Sequence, residues 1–553
     1  MARLKLASIA LSLLMTLAGC GGSSGSGNPL PPPPAPPPVT MTKAFQFLNQ
    51  ASFGATEDEA QVIIGSGIEA WIDQQLQQQA SLQLPYLRAV PPPQFPFQLQ
   101  PERIDIWFRN VVNGDDQLRQ RVAFALSEIM VVSQIGALGG LPFSLADYHD
   151  LLATNAFGNY RQLLEAVTLH PAMGVYLSML GNEKPDSALN IRPDENYARE
   201  LMQLFSIGLV ELNLDGTIVR DAQNQPVPTY NQQVIEGFAH VYTGWNFAGA
   251  PSFDLAMPNA FNQTAPMQLY PSHHDSGEKL LLNGLTLPAG QTGDQDLAAA
   301  LDNIFNHPNV GPFISIRLIQ RLVTSNPSPS YVARVAGVFN DNGQGVRGDL
   351  GAVVKAILLD EEARPELAMD PDGKVKEPLL RLTQLWRAYN ATSVSGKYQL
   401  LAQIPPFIFL GQGPLQSPSV FNFFSPFYAP PGEFRDSDFV APELEIATEY
   451  QNTLITNYMF YQSFFANSNN AASTDLSEDD VLIDVAEEML LADDAEALIN
   501  RVVEKLMAGR ISQVLRDEIG GMLALIAGPD DAALRVAETI YLVVTSPEYA
   551  FQR

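Results

Sequence analysis

Two short segments concentrate the side chains that could carry acid–base chemistry. The first, residues 195–200, holds Glu195, Asn196, Arg199 and Glu200 and leads into apolar residues at helical spacing. It predicts a helix with a charged first turn, in which Glu195 and Arg199 lie four residues apart and can pair. On a surface this pair would add only tenths of a kcal/mol. Buried, Glu195 and Glu200 could have separated pKa values suited to acid–base catalysis.

The second segment, residues 273–279, contains His273, His274, Asp275, Glu278 and Lys279. It lies in a region rich in Gly, Pro, Asn and Gln, where loops are expected and functional residues often occur. The alternative is a polar loop that ties this region to its surroundings. Because buried acids need donors, we expect this loop to meet the 195–200 helix.

Familiar catalytic and cofactor motifs are absent from the body of the sequence. There is no His-Glu-x-x-His, no Walker loop and no cysteine-based metal site. Residues 343–348 match a dinucleotide-binding string, but they follow a helical pattern where a strand is required, so a turn between helices is expected. The sequence therefore predicts no metal and no cofactor.

The hydrophobic pattern predicts a mainly α fold. Amphipathic stretches with capping signals recur along the chain, and the clearest begins at Thr56 with Glu59 three residues later. An irregular insertion that could include strands is expected near 213–293. We divide the chain into a helical body at 42–466, which carries this insertion, and a C-terminal helical segment at 478–553 that packs on it.

The first forty residues predict export and a lipid anchor. Arg3 and Lys5 precede an apolar run that ends in Leu-Ala-Gly-Cys at 17–20, which is the layout of a secretory signal. This ending resembles the bacterial lipobox, whose cysteine becomes the lipidated first residue of the mature chain. Cys20 is the only cysteine of the sequence. Residues 1–19 are thus interpreted as a lipoprotein signal peptide, and 20–41 as a lipidated, Gly/Ser- and Pro-rich tether.

The net charge of the chain limits the kinds of partner that it can bind. The chain carries a formal net charge of −28, so it should repel nucleic acid and anionic headgroups. Membrane attachment would then depend on the acyl chains. Gly21, where an Asp would often mark inner-membrane retention, favours the outer membrane of a Gram-negative bacterium.

The sequence resembles the bacterial "domain of unknown function 1800" family over roughly residues 44–552. The resemblance rests on segments 53–56, 70–76, 195–201, 242–245, 274–279 and 418–426. It implies a large, extracytoplasmic, α-rich protein whose gene often neighbours a sulfatase-like family, but it implies no reaction. Carried over by position, its candidate site residues are Glu195, Asn196, Arg199, Glu200, Thr243, Trp245, His274, Asp275 and Lys279.

Two functions from different classes remain open. The first is a lipid-anchored accessory, scaffold or binding protein of the cell envelope, whose partner is a glycan or a sulfatase-like protein. The second is a hydrolase of an envelope or external polymer that uses a Glu/His/Asp acid–base or metal site. Its acid–base groups would be Glu195, Glu200, His274 and Asp275, with Asn196, Arg199, Thr243, Trp245 and Lys279 binding the substrate. An open cleft at these residues would favour the hydrolase, and a buried ionic core would favour the accessory protein.

Overall fold

The computed structural model describes residues 38–364, 373–400, 404–526, 528 and 530–552. Residues 1–37, which include the predicted signal peptide, Cys20 and most of the predicted tether, lie outside the described residues. From Val39 onward the chain groups into one unit.

The described chain is mainly helical, as the sequence predicts, with 23 α-helices. The helices of the first half are α1 (Met41–Ala51), α2 (Glu57–Ser66), α3 (Ile68–Gln77), α4 (Leu84–Ala89), α5 (Gln100–Asn113), α6 (Gln117–Ser127), α7 (Pro142–Asn155), α8 (Tyr160–Leu169), α9 (Pro171–Tyr176), α10 (Asn196–Gln203) and α11 (Gln232–Val241). Those of the second half are α12 (Gly293–Phe305), α13 (Val310–Leu322), α14 (Pro329–Asn340), α15 (Leu350–Leu359), α16 (Pro378–Ala388), α17 (Pro406–Leu410), α18 (Glu433–Asp436), α19 (Glu449–Phe464), α20 (Ala486–Leu490), α21 (Ala495–Met507), α22 (Gln513–Leu525) and α23 (Ala532–Val544).

The β-structure of the described chain consists of three antiparallel pairs of two-residue strands. The pairs are β1 (Trp245–Asn246) with β2 (Gln268–Leu269), β3 (Lys279–Leu280) with β4 (Thr286–Leu287), and β5 (Lys374–Val375) with β6 (Phe551–Gln552). Two of these pairs lie in the 213–293 region. That region is therefore irregular and contains strands, as expected, and α11 interrupts it.

Local signals in the sequence explain several helix boundaries. Thr56 caps α2 by accepting a hydrogen bond from the Glu59 amide at 3.3 Å. Asp349 caps α15 through the Ala352 amide at 3.1 Å. The Gly-rich string at 343–348 is the loop between α14 and α15, so it is a turn, as the helical context predicts.

Two large apolar clusters form the core. One is built mainly from helices of the N-terminal and middle parts of the chain, including α1, α6, α8, α13 and α15. The other joins α5 and α16 to α19 and the C-terminal helices α21 and α23, around the fully buried Trp107 and Trp386. None of the described helices is long and apolar enough to cross a bilayer.

Candidate functional site

The loop at 273–279 docks on the end of α11. The Thr243 hydroxyl donates to the carbonyl oxygen of His240 at 2.7 Å and accepts from the Asp275 amide at 2.9 Å. Gly244 has a φ of +83°, and a Cβ there would lie 2.8 Å from the backbone nitrogen of His274. A glycine is therefore needed for this close approach. We call Thr243, His274, Asp275, Lys279 and Asp296 the His274 cluster.

Asp296, in the first turn of α12, is the acid at the centre of the His274 cluster. Its Oδ2 lies 3.1 Å from His274 Nε2 and 2.7 Å from Lys279 Nζ, and the three side chains are at most 3% exposed. Lys279 Nζ also donates to the carbonyl oxygens of Asp275 at 2.6 Å and Gly277 at 2.9 Å. An ammonium group has three hydrogens, so these three acceptors satisfy it.

Both ring nitrogens of His274 face oxygen atoms. Nδ1 lies 3.0 Å from the carbonyl oxygen of Thr243, and Nε2 faces Asp296. Lys279 and the His274 ring thus face the same carboxylate inside the fold, which is the arrangement of a structural cluster.

His240 joins the cluster at its outer edge. It forms an ion pair with the Asp275 carboxylate, whose Oδ1 also accepts from the Gly277 amide at 2.8 Å. The hydrogen bond to His240 is the main reason that the pKa of Asp275 falls to about 2. Asp275 is consequently ionised at ordinary pH and a weak base. Glu236, four residues before His240 on α11, instead accepts from Gln232 at 3.4 Å.

The residues of α10 form a separate, more exposed group. Arg199 and Glu195 pair at 2.9 Å with side chains 41% and 33% exposed, and Gln232 of α11 donates to Glu195 at 2.9 Å. Asn196 is exposed at the start of the helix, where its amide donates to Asp194 at 2.7 Å. The Glu195–Arg199 pair is therefore a surface ion pair, which is one of the two arrangements that the sequence allowed.

Glu200 is the buried acid of α10. It is 7% exposed, and burial raises its pKa while Arg199 opposes the shift. Its Oε2 has no hydrogen-bond partner within the described part of the chain. The contacts of Lys279 and His274 go to Asp296. The two predicted segments are therefore linked through α11, and the donors expected for the acids of α10 serve another carboxylate.

Trp245 lies in β1 opposite Leu269 of β2 and is 3% exposed. It borders an open groove of about 490 Å³. A second depression of about 720 Å³ adjoins it, since Glu165 and Leu169 line both, and we call the two together the Trp245 groove. Trp245 is the candidate site residue that lines it.

A second buried ion cluster was not predicted from the sequence. It brings together side chains of α6, α13, the start of α16 and a turn at 442–445, and we call it the Glu128 cluster. Its members are Arg121, Glu128, Arg321, Lys374, Glu377 and Glu443. Three acids and three cations thus lie close together, which offsets part of the cost of burying them.

Lys374 and Arg321 hold the acids of the Glu128 cluster in place. Lys374 Nζ lies 3.1 Å from Glu377 and 3.2 Å from Glu443, and all three side chains are at most 2% exposed. Arg321 reaches Glu128 at 3.4 Å. Arg121 Nη2 donates to the Arg321 carbonyl oxygen at 2.6 Å. Each cation thus ties two elements together.

Glu128 and Glu377 are a coupled carboxyl pair. The Gln412 side chain donates to both, at 3.1 and 2.5 Å. Burial raises the pKa of Glu128 to about 8 although Arg321 opposes the shift. Burial alone would also raise the pKa of Glu377, but Lys374 and Arg321 outweigh it and lower the value to about 2. The pair therefore holds one proton at neutral pH.

The segment at 418–426, which carried part of the family resemblance, covers this cluster. Asn422 donates to Glu128 at 3.3 Å, and the Phe424 ring lies 4.5 Å from the Arg321 guanidinium. Of the aromatic residues in this segment, Phe424 is buried at 2% exposure, whereas Phe421 is 56% exposed. One signal for the cluster was present in the sequence: Arg121 and Glu128, seven residues apart, lie on one face of an otherwise apolar helical stretch.

No metal centre is formed in the part of the chain that the structure describes, where no three His, Cys, Asp or Glu side chains converge in a way that could hold an ion.

These features define a large, mainly α-helical protein with two buried ion clusters. A family model described as "Protein of unknown function (DUF1800)" matches residues 46–551. The chain therefore belongs to this family. No curated protein and no solved structure matches it.

Proposed function

We propose that this protein is a lipid-anchored accessory or binding protein of the cell envelope. The main supporting observation is that His274, the histidine among the proposed acid–base groups, is held inside the fold. It forms a buried cluster with Lys279 and Asp296. A group that reacts must reach its substrate, and these three side chains are at most 3% exposed.

The anchor is proposed from the sequence alone. Its support is the Leu-Ala-Gly-Cys ending at 17–20, the single cysteine and the Gly/Ser- and Pro-rich tether that follows. Acyl chains on Cys20 would hold the acidic body at the membrane, and Gly21 supports the outer membrane. Two acyl chains or more give stable attachment where one gives only reversible binding.

The Trp245 groove is the proposed binding surface, and a neutral glycan is the proposed ligand. Trp245 and Leu169 give the groove apolar walls, and Gln162 and Gln268 supply amide groups that can bond to hydroxyls. The carboxylates of Glu165, Asp147 and Asp294 also border it and would repel an anionic polymer. A sulfatase-like partner protein, suggested by the family resemblance, is the other proposed partner.

A co-sedimentation assay with insoluble chitin and cellulose tests the glycan proposal. Wild-type protein should sediment with at least one polymer, and Gln162→Ala should weaken binding about three- to tenfold, the effect of one lost hydrogen bond. Gln74→Ala is the matched control, because Gln74 is exposed on α3, away from the groove. Equal binding by both variants would count against the groove.

The hydrolase alternative is tested in the same tubes by measuring soluble reducing sugars. The accessory function predicts no release above that of a heated sample. Release that is lost in His274→Gln, with the melting temperature retained, would replace the binding function by a hydrolase.

Fractionation tests the anchor. Wild-type protein should remain with membranes after a high-salt wash, and Cys20→Ser should appear in the soluble fraction. A Cys20→Ser protein that is cleaved and still membrane-bound would show that attachment does not depend on a lipid at this residue.

A further inference from the structure

A cavity of about 500 Å³ lies where α1, the end of α21 and the C-terminal segment meet. Lys376 and Tyr549 line it together, and its rim includes Arg510, Ser512 and Glu548. Nothing in the site described above uses these residues. The cavity has room for a small organic ligand.

Lys376 is a buried lysine whose amine lacks an acidic partner. It is 6% exposed, and its Nζ donates to Gln384 Oε1 at 2.6 Å and lies 3.8 Å from the centre of the Tyr549 ring. No acidic side chain of the described residues pairs with it. Lys374, two residues earlier, is equally buried but contacts both Glu377 and Glu443. The two lysines therefore form a natural comparison.

Two features of the surroundings disfavour the charged form of Lys376. Burial lowers its pKa well below the ordinary value, and the nearby Arg381 cation acts in the same direction. Tyr549 presents its ring face, and its hydroxyl donates to the Arg381 carbonyl oxygen at 2.6 Å. At the rim, the carboxylate of Glu548 already accepts from the Ser512 amide at 2.8 Å and from its hydroxyl.

Hydrogen bonds fix both the Gln384 side chain and the backbone of Lys376. Gln384 lies in α16, and its Nε2 donates to the Leu506 carbonyl oxygen at 2.8 Å, which turns Oε1 toward the lysine. The Lys376 amide donates to the Ala550 carbonyl oxygen at 2.7 Å, which fixes the backbone beside β6. A buried lysine that lines a cavity and has no acidic partner has the features of a nucleophilic lysine.

We propose that Lys376 is a nucleophile that forms an imine with a small aldehyde or ketone entering this cavity. The amine nitrogen bonds to the carbonyl carbon, and the carbonyl oxygen takes up a proton from nitrogen. The resulting carbinolamine then loses its hydroxyl and the second nitrogen proton as water, which leaves the C=N bond. The step is reversible and needs no oxidant or reductant.

Reductive trapping tests the proposal on the full-length protein. Acetaldehyde and sodium cyanoborohydride are added at pH 6.5, where ordinary lysines are almost wholly protonated, and ethylation is mapped by peptide mass spectrometry. We expect Lys376 to be ethylated at least about tenfold faster than exposed lysines, since each unit of pKa changes the reactive fraction tenfold. Lys374 should be unmodified in the same interval.

Gln384→Glu is the decisive variant, because it places a carboxylate beside Lys376 while keeping the size of the side chain. The added charge should keep the amine protonated and slow ethylation of Lys376 at least about tenfold. If Lys376 of the folded wild type reacts no faster than Lys374 or exposed lysines, the proposal is wrong. Unchanged ethylation in a folded Gln384→Glu protein would likewise overturn it, because access alone would then explain the reaction.

Discussion

At the scale of single residues, burial decides what the charged side chains of this protein can do. Asp296 is fully buried and faces Lys279 and His274, whereas Glu195 pairs with Arg199 at the surface. Charges that leave water need partners with good geometry, and the loss of one partner leaves the other uncompensated. Replacing a buried member of the candidate site should therefore cost more stability than replacing an exposed one.

Lys279→Met should lower the free energy of unfolding by about 3 kcal/mol, because it leaves the buried Asp296 without its closest cation. The matched control is Lys355→Met, since Lys355 pairs with Glu69 and Asp73 at the surface, at 3.0 and 2.6 Å. Such exposed pairs contribute at most about 1 kcal/mol. Urea unfolding measures both variants, and equal losses would contradict a structural role for the His274 cluster.

Glu128 gives the protein a pH-dependent stability. Because its pKa in the folded state is about 8, above that of an unfolded glutamate, the folded state binds the extra proton between these values. Stability should therefore fall as pH rises from about 5 to about 8, by at most about 1.4 kcal/mol per unit from this group.

Glu128→Gln should remove that slope, because the amide imitates the protonated acid. The variant should gain stability relative to wild type between pH 7 and pH 9. Glu377→Gln is the control with the opposite sign, since the pKa of Glu377 is lowered to about 2 and its charge stabilises the fold at neutral pH. Melting temperatures at a series of pH values measure both effects, and parallel curves for Glu128→Gln and wild type would refute the assignment.

At the scale of elements, α11 positions the His274 cluster by packing closely on β3. A Cβ on Gly237 of α11 would lie 1.9 Å from the carbonyl oxygen of Leu280. Gly337 of α14 is also helical, but a Cβ there would meet nothing within 4 Å. Replacing each glycine by alanine therefore distinguishes the effect of helix propensity, at Gly337, from the effect of close packing, at Gly237.

Gly237→Ala should destabilise the protein by more than about 2 kcal/mol, because α11 must move away from the β3 backbone. Gly337→Ala should instead stabilise it by up to about 1 kcal/mol, the gain from replacing glycine inside a helix. Chemical denaturation of the two variants gives the comparison. A stabilising Gly237→Ala would show that α11 and β3 are farther apart than described.

Sequence patterns predicted the helices better than the contacts that the helices make with one another. The capping signals of Thr56 and Asp349 place the starts of α2 and α15 correctly. Ser144, which resembles the start of a capping box, instead lies inside α7, which begins at Pro142. Helix starts depend on neighbouring residues, so local patterns can find them.

The candidate site was only partly predictable for a physical reason. The local segments around Thr243 and His274 could be identified, but the acid that anchors them, Asp296, lies in another helix and is marked in the sequence only as a first-turn acid. Likewise Glu128 and Glu377 meet through tertiary packing, with Gln412 between them. Contacts between distant residues leave no periodic signal, so their partners emerge only in the folded structure.

At the scale of the whole molecule, charge and attachment are linked. A body within a chain of net charge −28 has little electrostatic attraction for anionic lipid. The proposed lipid at Cys20, with the tether that follows it, would supply the attachment that charge does not.

Mass spectrometry of the N-terminal peptide of the mature protein is the sharpest test of the proposed lipid anchor. Protein is extracted from membranes of the native host with detergent, digested and searched for the peptide that begins at Cys20. We expect cleavage between Gly19 and Cys20 and a mass increase equal to a diacylglyceryl group, with or without an N-acyl chain. A mature chain that begins elsewhere, or a Cys20 without lipid, would contradict it.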